Sequence, residues 1–251
     1  MKGAAVNTSS PKLKTVEKYK PLYPLGQFPA GFALALGREI VYLLATRDNP
    51  KIEGEDWEEI FAHCIGAKWC PSNVGLDDVQ LNQMAWSAKT VKNANPFTVK
   101  HIRLISGRNS PDYSYDVENV HTENPNDLGA MILGIWNGRI TDVRKKFATT
   151  RTVVLVKGDG LETVSVFEEE TLRYLPEEYY WEWNSNGNLE GYENATDKKK
   201  FTWQPHGAQF TISTIAPENR LKLRIKKPPV LDKNGLLNAI KFDPSWIEVV
   251  P

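Results

Sequence analysis

Residues 75–92, Gly-Leu-Asp-Asp-Val-Gln-Leu-Asn-Gln-Met-Ala-Trp-Ser-Ala-Lys-Thr-Val-Lys, hold the side chains best suited to chemistry. The pattern predicts a hairpin over 74–92: a short strand with acidic residues at its start, a tight turn at Asn82-Gln83, and a second strand ending in lysine. Two antiparallel strands joined in this way bring a carboxylate and the Lys89 ammonium to the same end of a hairpin. A carboxylate there is a hard oxygen ligand of the kind Mg2+ takes. An ammonium beside it suits the holding of a water or of a phosphoryl oxygen. Asp78 is the preferred acid, because Val79-Gln80-Leu81 follows it in the apolar-x-apolar pattern of a core strand. Asp77, the alternate, points to the opposite face of a regular strand. On the second strand Ser87 and Lys89 share a face and Ala88 points away. The plain alternative is a solvated turn entry beside an ordinary edge-strand lysine.

This constellation resembles the core of the PD-(D/E)XK nucleases, in which an Asp and a later acid-x-Lys element hold a divalent metal and an attacking water. The resemblance covers residues 30–157 and points to the type II restriction endonucleases as a class. It implies Mg2+-dependent, sequence-specific hydrolysis of double-stranded DNA, by a homodimer acting on two-fold sites. It also implies catalytic roles for Asp78, Ser87, Lys89 and a further acid. Ser87 stands where the family carries its second acid, so a carboxylate has to come from elsewhere. Glu39 borders the apolar stripe of the first predicted helix, where an acid is costly unless paired or metal-bound. Glu118 follows the hairpin and is the other candidate. The metal set implied is Asp78 with Glu39, Asp77 or Glu118. A protein of the same fold that binds DNA without cutting it, and an unrelated α/β enzyme, are the other classes the residues allow.

Donors suited to nucleic acid occur in two further stretches. The Gly/Pro-rich loop 105–115 carries Arg108 and Asn109 among Ser and Tyr, residue types that contact phosphates and base edges. In 201–210, Phe-Thr-Trp-Gln-Pro-His-Gly-Ala-Gln-Phe, the side chains of Gln204, His206 and Gln209 stand between aromatic anchors. That segment reads equally as a strand with a Pro bulge. Lys198, Lys199 and Lys200 just before it form a phosphate patch or a solvated turn.

The elements that must position these residues follow from periodicity. Phe32, Leu36, Ile40 and Leu43 give a helix over 29–47; Trp57, Ile60, Phe61 and Cys64 give a second over 56–65, with Asp56 as its N-cap. Residues 98–106 alternate as a third strand. Asn124-Pro125 starts a helix that runs to Lys146 on the stripe Leu128, Met131, Ile132, Ile135, Trp136. Strands follow at 152–157 and 161–168, and after Pro176 the aromatic-polar alternation predicts a β-rich extension. The fold expected is α/β, a restriction-endonuclease-like mixed central sheet flanked by helices. Its divisions are a flexible basic arm over 1–20, a core over 21–175 and a β-rich subdomain over 176–251.

Lys and Arg together number 31, as do Asp and Glu, which excludes a histone-like polycation and leaves room for a local basic cleft. Two cysteines in 251 residues fit a reducing, cytoplasmic setting better than a disulfide scaffold. The apolar run 31–36 is far too short to cross a bilayer, and the first residues lack the apolar core of a signal peptide. His63, Cys64, Cys70 and His101 have no zinc-site spacing.

Overall fold

The structure, a computed structural model, describes residues 19–71 and 76–250. Residues 1–18 of the expected arm, and Val74 and Gly75 at the head of the expected hairpin, lie outside the described residues. Helix α1 (Phe32–Thr46) buries the predicted Phe32, Leu36, Ile40 and Leu43. Helix α2 (Gly54–Ile65) starts earlier than the stripe suggested. Asp56 is not its N-cap: it stands inside the first turn, where its carboxylate accepts from the Glu53 N–H at 2.8 Å. Gly66, at φ 66°, closes the helix in the left-handed region that favours glycine.

The hairpin forms from β2 (Val79–Leu81) and β3 (Met84–Lys92), with the short β1 (Lys68–Trp69) beside β2. Asn82 takes φ 53° in the two-residue turn, a conformation Asn tolerates. Next come β4 (His101–Arg108), α3 (Pro111–Tyr115) and α4 (Pro125–Lys146). Asn124 caps α4, its side chain accepting from Asn126 N at 2.9 Å, and Pro125 opens the first turn as predicted. Strands β5 (Thr149–Lys157) and β6 (Thr163–Glu170) precede β7 (Tyr179–Trp183), β8 (Leu189–Glu193), β9 (Lys199–Gln204), β10 (Gln209–Ile215) and β11 (Leu221–Arg224); α5 (Lys233–Ala239) follows.

Two sheets result, and the mixed α/β class expected from the sequence holds. The first has the order β1-β2-β3-β5-β6-β11. Within it β3 and β5 run parallel, with α4 lying between them in the chain, and the remaining pairs are antiparallel. The second, β4-β10-β9-β8-β7, is antiparallel throughout. Three expectations need correcting. The strand expected over 98–106 forms as β4 at 101–108, in the second sheet, paired with β10. The polar loop after it contains the one-turn helix α3. A boundary at 176 cuts across both sheets, because β4 belongs with the C-terminal strands and β11 returns to β6.

Alternation along β3 and β5 explains the layers. Trp86, Ala88, Val153 and Leu155 face α1 and α2 in one core. Ala85 packs in a second core with α4 and the inner face of the second sheet, while Val154, Val156 and Phe167 meet Ile102 and Leu104 of β4. Strand β5 is buried almost throughout, as a central strand covered on both faces should be. Across it lies a buried ion pair, Arg151 Nη1 to Glu168 Oε2 at 3.0 Å. Tyr23 Oη at 2.8 Å and Trp86 Nε1 at 2.6 Å donate to Glu168 Oε1, and Arg151 Nη2 donates to the Tyr23 carbonyl at 2.9 Å. The network ties residue 23 to the sheet and leaves neither charge unpaired. Among the described residues no helix is long and apolar enough to cross a membrane, and both cysteines are free thiols.

Candidate functional site

The two-residue turn sets Val79 opposite Trp86, which brings Asp78, the next residue out, beside Ser87. Asp78 Oδ2 accepts from Ser87 Oγ at 3.3 Å and from the Ala88 N–H at 3.3 Å. Asp78 is only 3% exposed, and burial pushes its carboxyl up to about 6; the nearby Glu58 carboxylate adds to the rise. The Lys89 ammonium, the Ala88 N–H and the Ser87 hydroxyl act in the opposite direction. Asp78 thus meets Ser87 across the hairpin, while Lys89, half-buried on the same strand as Ser87, acts on it through charge and makes no ion pair with it among the described residues. Asp77 is drawn away: its Oδ2 lies 3.6 Å from Lys146 Nζ at the end of α4 and 3.3 Å from Gln80 Nε2.

The expected replacement acids stand elsewhere. Glu39 turns toward the C-terminal end of α2, with Oε1 2.8 Å from His63 Nδ1, in a hollow it shares with Tyr42, Arg47 and Glu59. The α1 stripe packs against the core, so the flank that carries Glu39 meets α2. Glu118 lines a hollow beside Arg108 and Trp203. Among the described residues neither acid makes a hydrogen bond or ion pair with Asp78 or Lys89. The acid that acts on Asp78 is Glu58 of α2, which also accepts from Trp69 Nε1 of β1 at 3.1 Å. Glu58 borders the Trp57-Ile60-Phe61 stripe of α2 as Glu39 borders that of α1. Glu55 and Glu59 share the same short helix, so spacing alone did not single it out.

Asp78 is buried and Glu58 half-buried, and a negative charge near a buried carboxyl favours its neutral form or a cation beside it. Mg2+ takes one or two protein carboxylates and fills the rest of its shell with water and phosphate oxygens. Asp78 and Glu58 are carboxylates of that type. Among the described residues no three His, Cys, Asp or Glu side chains gather as a metal-holding group; Glu39 is engaged with His63 and Asp77 lies near Lys146.

The expected DNA donors separate into three groups. Arg108 and Gln209 are register partners across β4 and β10, and Gln204 pairs with Gln209 across β9. Arg108, His206 and Gln209 line one hollow of about 720 Å3, and Arg108 also borders the hollow of about 400 Å3 that holds Glu118. Strand pairing thus joins loops nearly a hundred residues apart. Asn109 is not a surface donor. It is fully buried: Oδ1 accepts from Arg139 Nη1 at 3.0 Å, Nδ2 donates to the Ile132 carbonyl at 2.9 Å, and its carbonyl accepts from Trp203 Nε1 at 2.8 Å. The lysine run is partly committed within the fold. Lys199 pairs with Glu190 at 3.0 Å, Lys200 sits over the Tyr174 ring at 5.7 Å, and Lys198 is exposed. Compared with family models, curated proteins and solved structures, the chain matches none.

Proposed function

We propose that this protein is a divalent-metal-dependent endonuclease acting on double-stranded DNA, with Asp78, Lys89 and Glu58 as its working groups. The observation that carries the reading is a buried Asp78 carboxyl, raised to about 6, that accepts from the Ser87 hydroxyl and the Ala88 N–H across a two-residue hairpin turn, on the strand pair that also carries Lys89. The surrounding sheet supports it. Its antiparallel hairpin is followed, after α4, by a strand parallel to β3, as the order of the PD-(D/E)XK core would have it.

Asp78 and Glu58 would hold Mg2+, which supplies a polarised phosphoryl oxygen and a water of lowered pKa. Lys89 places a positive charge on the strand next to Asp78, suited to a non-bridging phosphate oxygen or to the attacking water. Ser87 keeps Asp78 oriented by donating to Oδ2. Arg108, His206, Gln204 and Gln209 form the surface best suited to contact the duplex, Arg108 through phosphate or guanine and the glutamines through base edges.

A second reading, duplex binding without cleavage, draws on the deep burial of Asp78 and on Ser87 in the acid position. Incubating supercoiled plasmid with the protein, with and without Mg2+, separates the two. Nicked or linear product that disappears on chelation supports the nuclease. Duplex binding with no product under any divalent ion supports the second.

A further inference from the structure

We infer that the C-terminal segment, residues 226–250, is a dimerisation arm that docks on the outer face of α1 in a second copy of this chain. Helix α5 buries no residue of its own. Leu236, Ile240, Phe242, Trp246, Ile247 and Val249 stand exposed along the arm, Trp246 at 61%, Ile247 at 66% and Val249 at 90%. Six exposed large apolar side chains within fourteen residues, Phe242 and Trp246 among them in ring contact, are more than soluble chains usually leave open to water.

A receptor of matching character starts at the arm's root. Leu34, at 70% exposure, and Val41 and Tyr42, at 38% and 63%, form an outer stripe on α1 at the spacing i, i+7, i+8. The stripe leads toward Ala45, whose carbonyl accepts the Leu231 N–H at 2.7 Å. The hydrogen bond fixes the arm at the end of the stripe, yet the arm leaves its own α1 uncovered. Among the described residues, arm and stripe are therefore adjacent and both exposed. A two-fold pairing satisfies both at once, each arm crossing from its own α1 end to the partner's stripe. At roughly 100 Å2 apiece, these side chains offer about the 800 Å2 per partner that a stable interface buries.

Charge favours a protein partner over a lipid surface. Lys226, Lys227, Lys233 and Lys241 are nearly balanced by Asp232, Asp243 and Glu248, and α5 lacks the Lys/Arg-rich polar face of an interfacial membrane helix. The inference stands apart from the nuclease reading, because it uses none of that site's residues.

Sedimentation of the full chain at micromolar concentration tests it. The expected result is the mass of two chains for the parent, and of one chain both for the arm variant Trp246→Glu/Ile247→Glu and for the stripe variant Leu34→Glu/Tyr42→Glu. All four positions are exposed, so folding should be unchanged by circular dichroism. Mixing the two variants should restore association, weaker than the parent's, because an intact stripe then meets an intact arm. A parent that sediments as one chain would overturn the inference, whether or not it binds phosphatidylcholine/phosphatidylserine vesicles. So would stripe variants that remain dimeric, and so would a mixture that fails to associate.

Discussion

At the residue scale the proposed chemistry turns on Asp78. Its carboxyl is pushed up to about 6, so the fold favours the protonated form. The sign follows: the stability contribution is fully present below the unfolded value of ~3.9 and is lost as pH rises through about 6. Asp78→Asn keeps an oxygen acceptor for Ser87 and Ala88 and removes the cost of ionisation. The variant should therefore be more stable than the parent at pH 8, by up to about 3 kcal/mol, and no more stable at pH 3.5, as urea unfolding at the two pH values would show. The same substitution should abolish cleavage, the pattern of a group kept for function at a cost to stability. Equal or lower stability at pH 8 would make Asp78 a structural residue. Cleavage by the parent should also show an acidic limb, its rate falling as pH drops through about 6 at limiting Mg2+, where protons and metal compete for Asp78. A rate flat from pH 5 to pH 8 would remove Asp78 from the metal set.

At the scale of elements, what the sequence disclosed depended on the range of the interaction. The stripes of α1, α2 and α4 are local, and each helix lies within a few residues of its expected place. The Asp78–Ser87 pairing was legible because a two-residue turn fixes register over nine residues. Glu58 was not, since nothing in α2 tells which of its acids faces the β1–β2 edge. Strand β4 was recognisable as a strand, but its partner β10 lies a hundred residues on, and alternation names no partner. Asn109 was misread because a Gly/Pro-rich loop suggests exposure, whereas here it folds inward and its amide joins β4 to α4. Asn109→Ala should thus cost about 2–4 kcal/mol in denaturant unfolding, from two buried side-chain hydrogen bonds lost, without changing preference among DNA sequences. Unchanged stability with altered discrimination would return Asn109 to the recognition surface.

At the scale of the molecule, a chain with no net charge that binds DNA, as proposed, would need its contacts concentrated, and the pairing of β4, β9 and β10 gathers Arg108, Gln204 and Gln209 at one end. Arg108→Ala should weaken binding to all duplexes and lower the salt slope by about one unit, read from binding isotherms at several salt concentrations. The triple change of Lys198, Lys199 and Lys200 should do less than three free lysines would, because Lys199 and Lys200 are already engaged with Glu190 and Tyr174. If that change carries the whole slope and Arg108 none, the duplex lies along β9 and not across the Arg108 hollow. The central claim, that the hairpin is a catalytic centre, is tested most directly by the rate of Mg2+-dependent plasmid nicking for the parent and for Lys89→Ala, at equal DNA occupancy. Nicking by the parent is expected, with a loss of about a hundredfold or more in the variant. Equal rates for the two, or no nicking by either while both bind DNA, would contradict it.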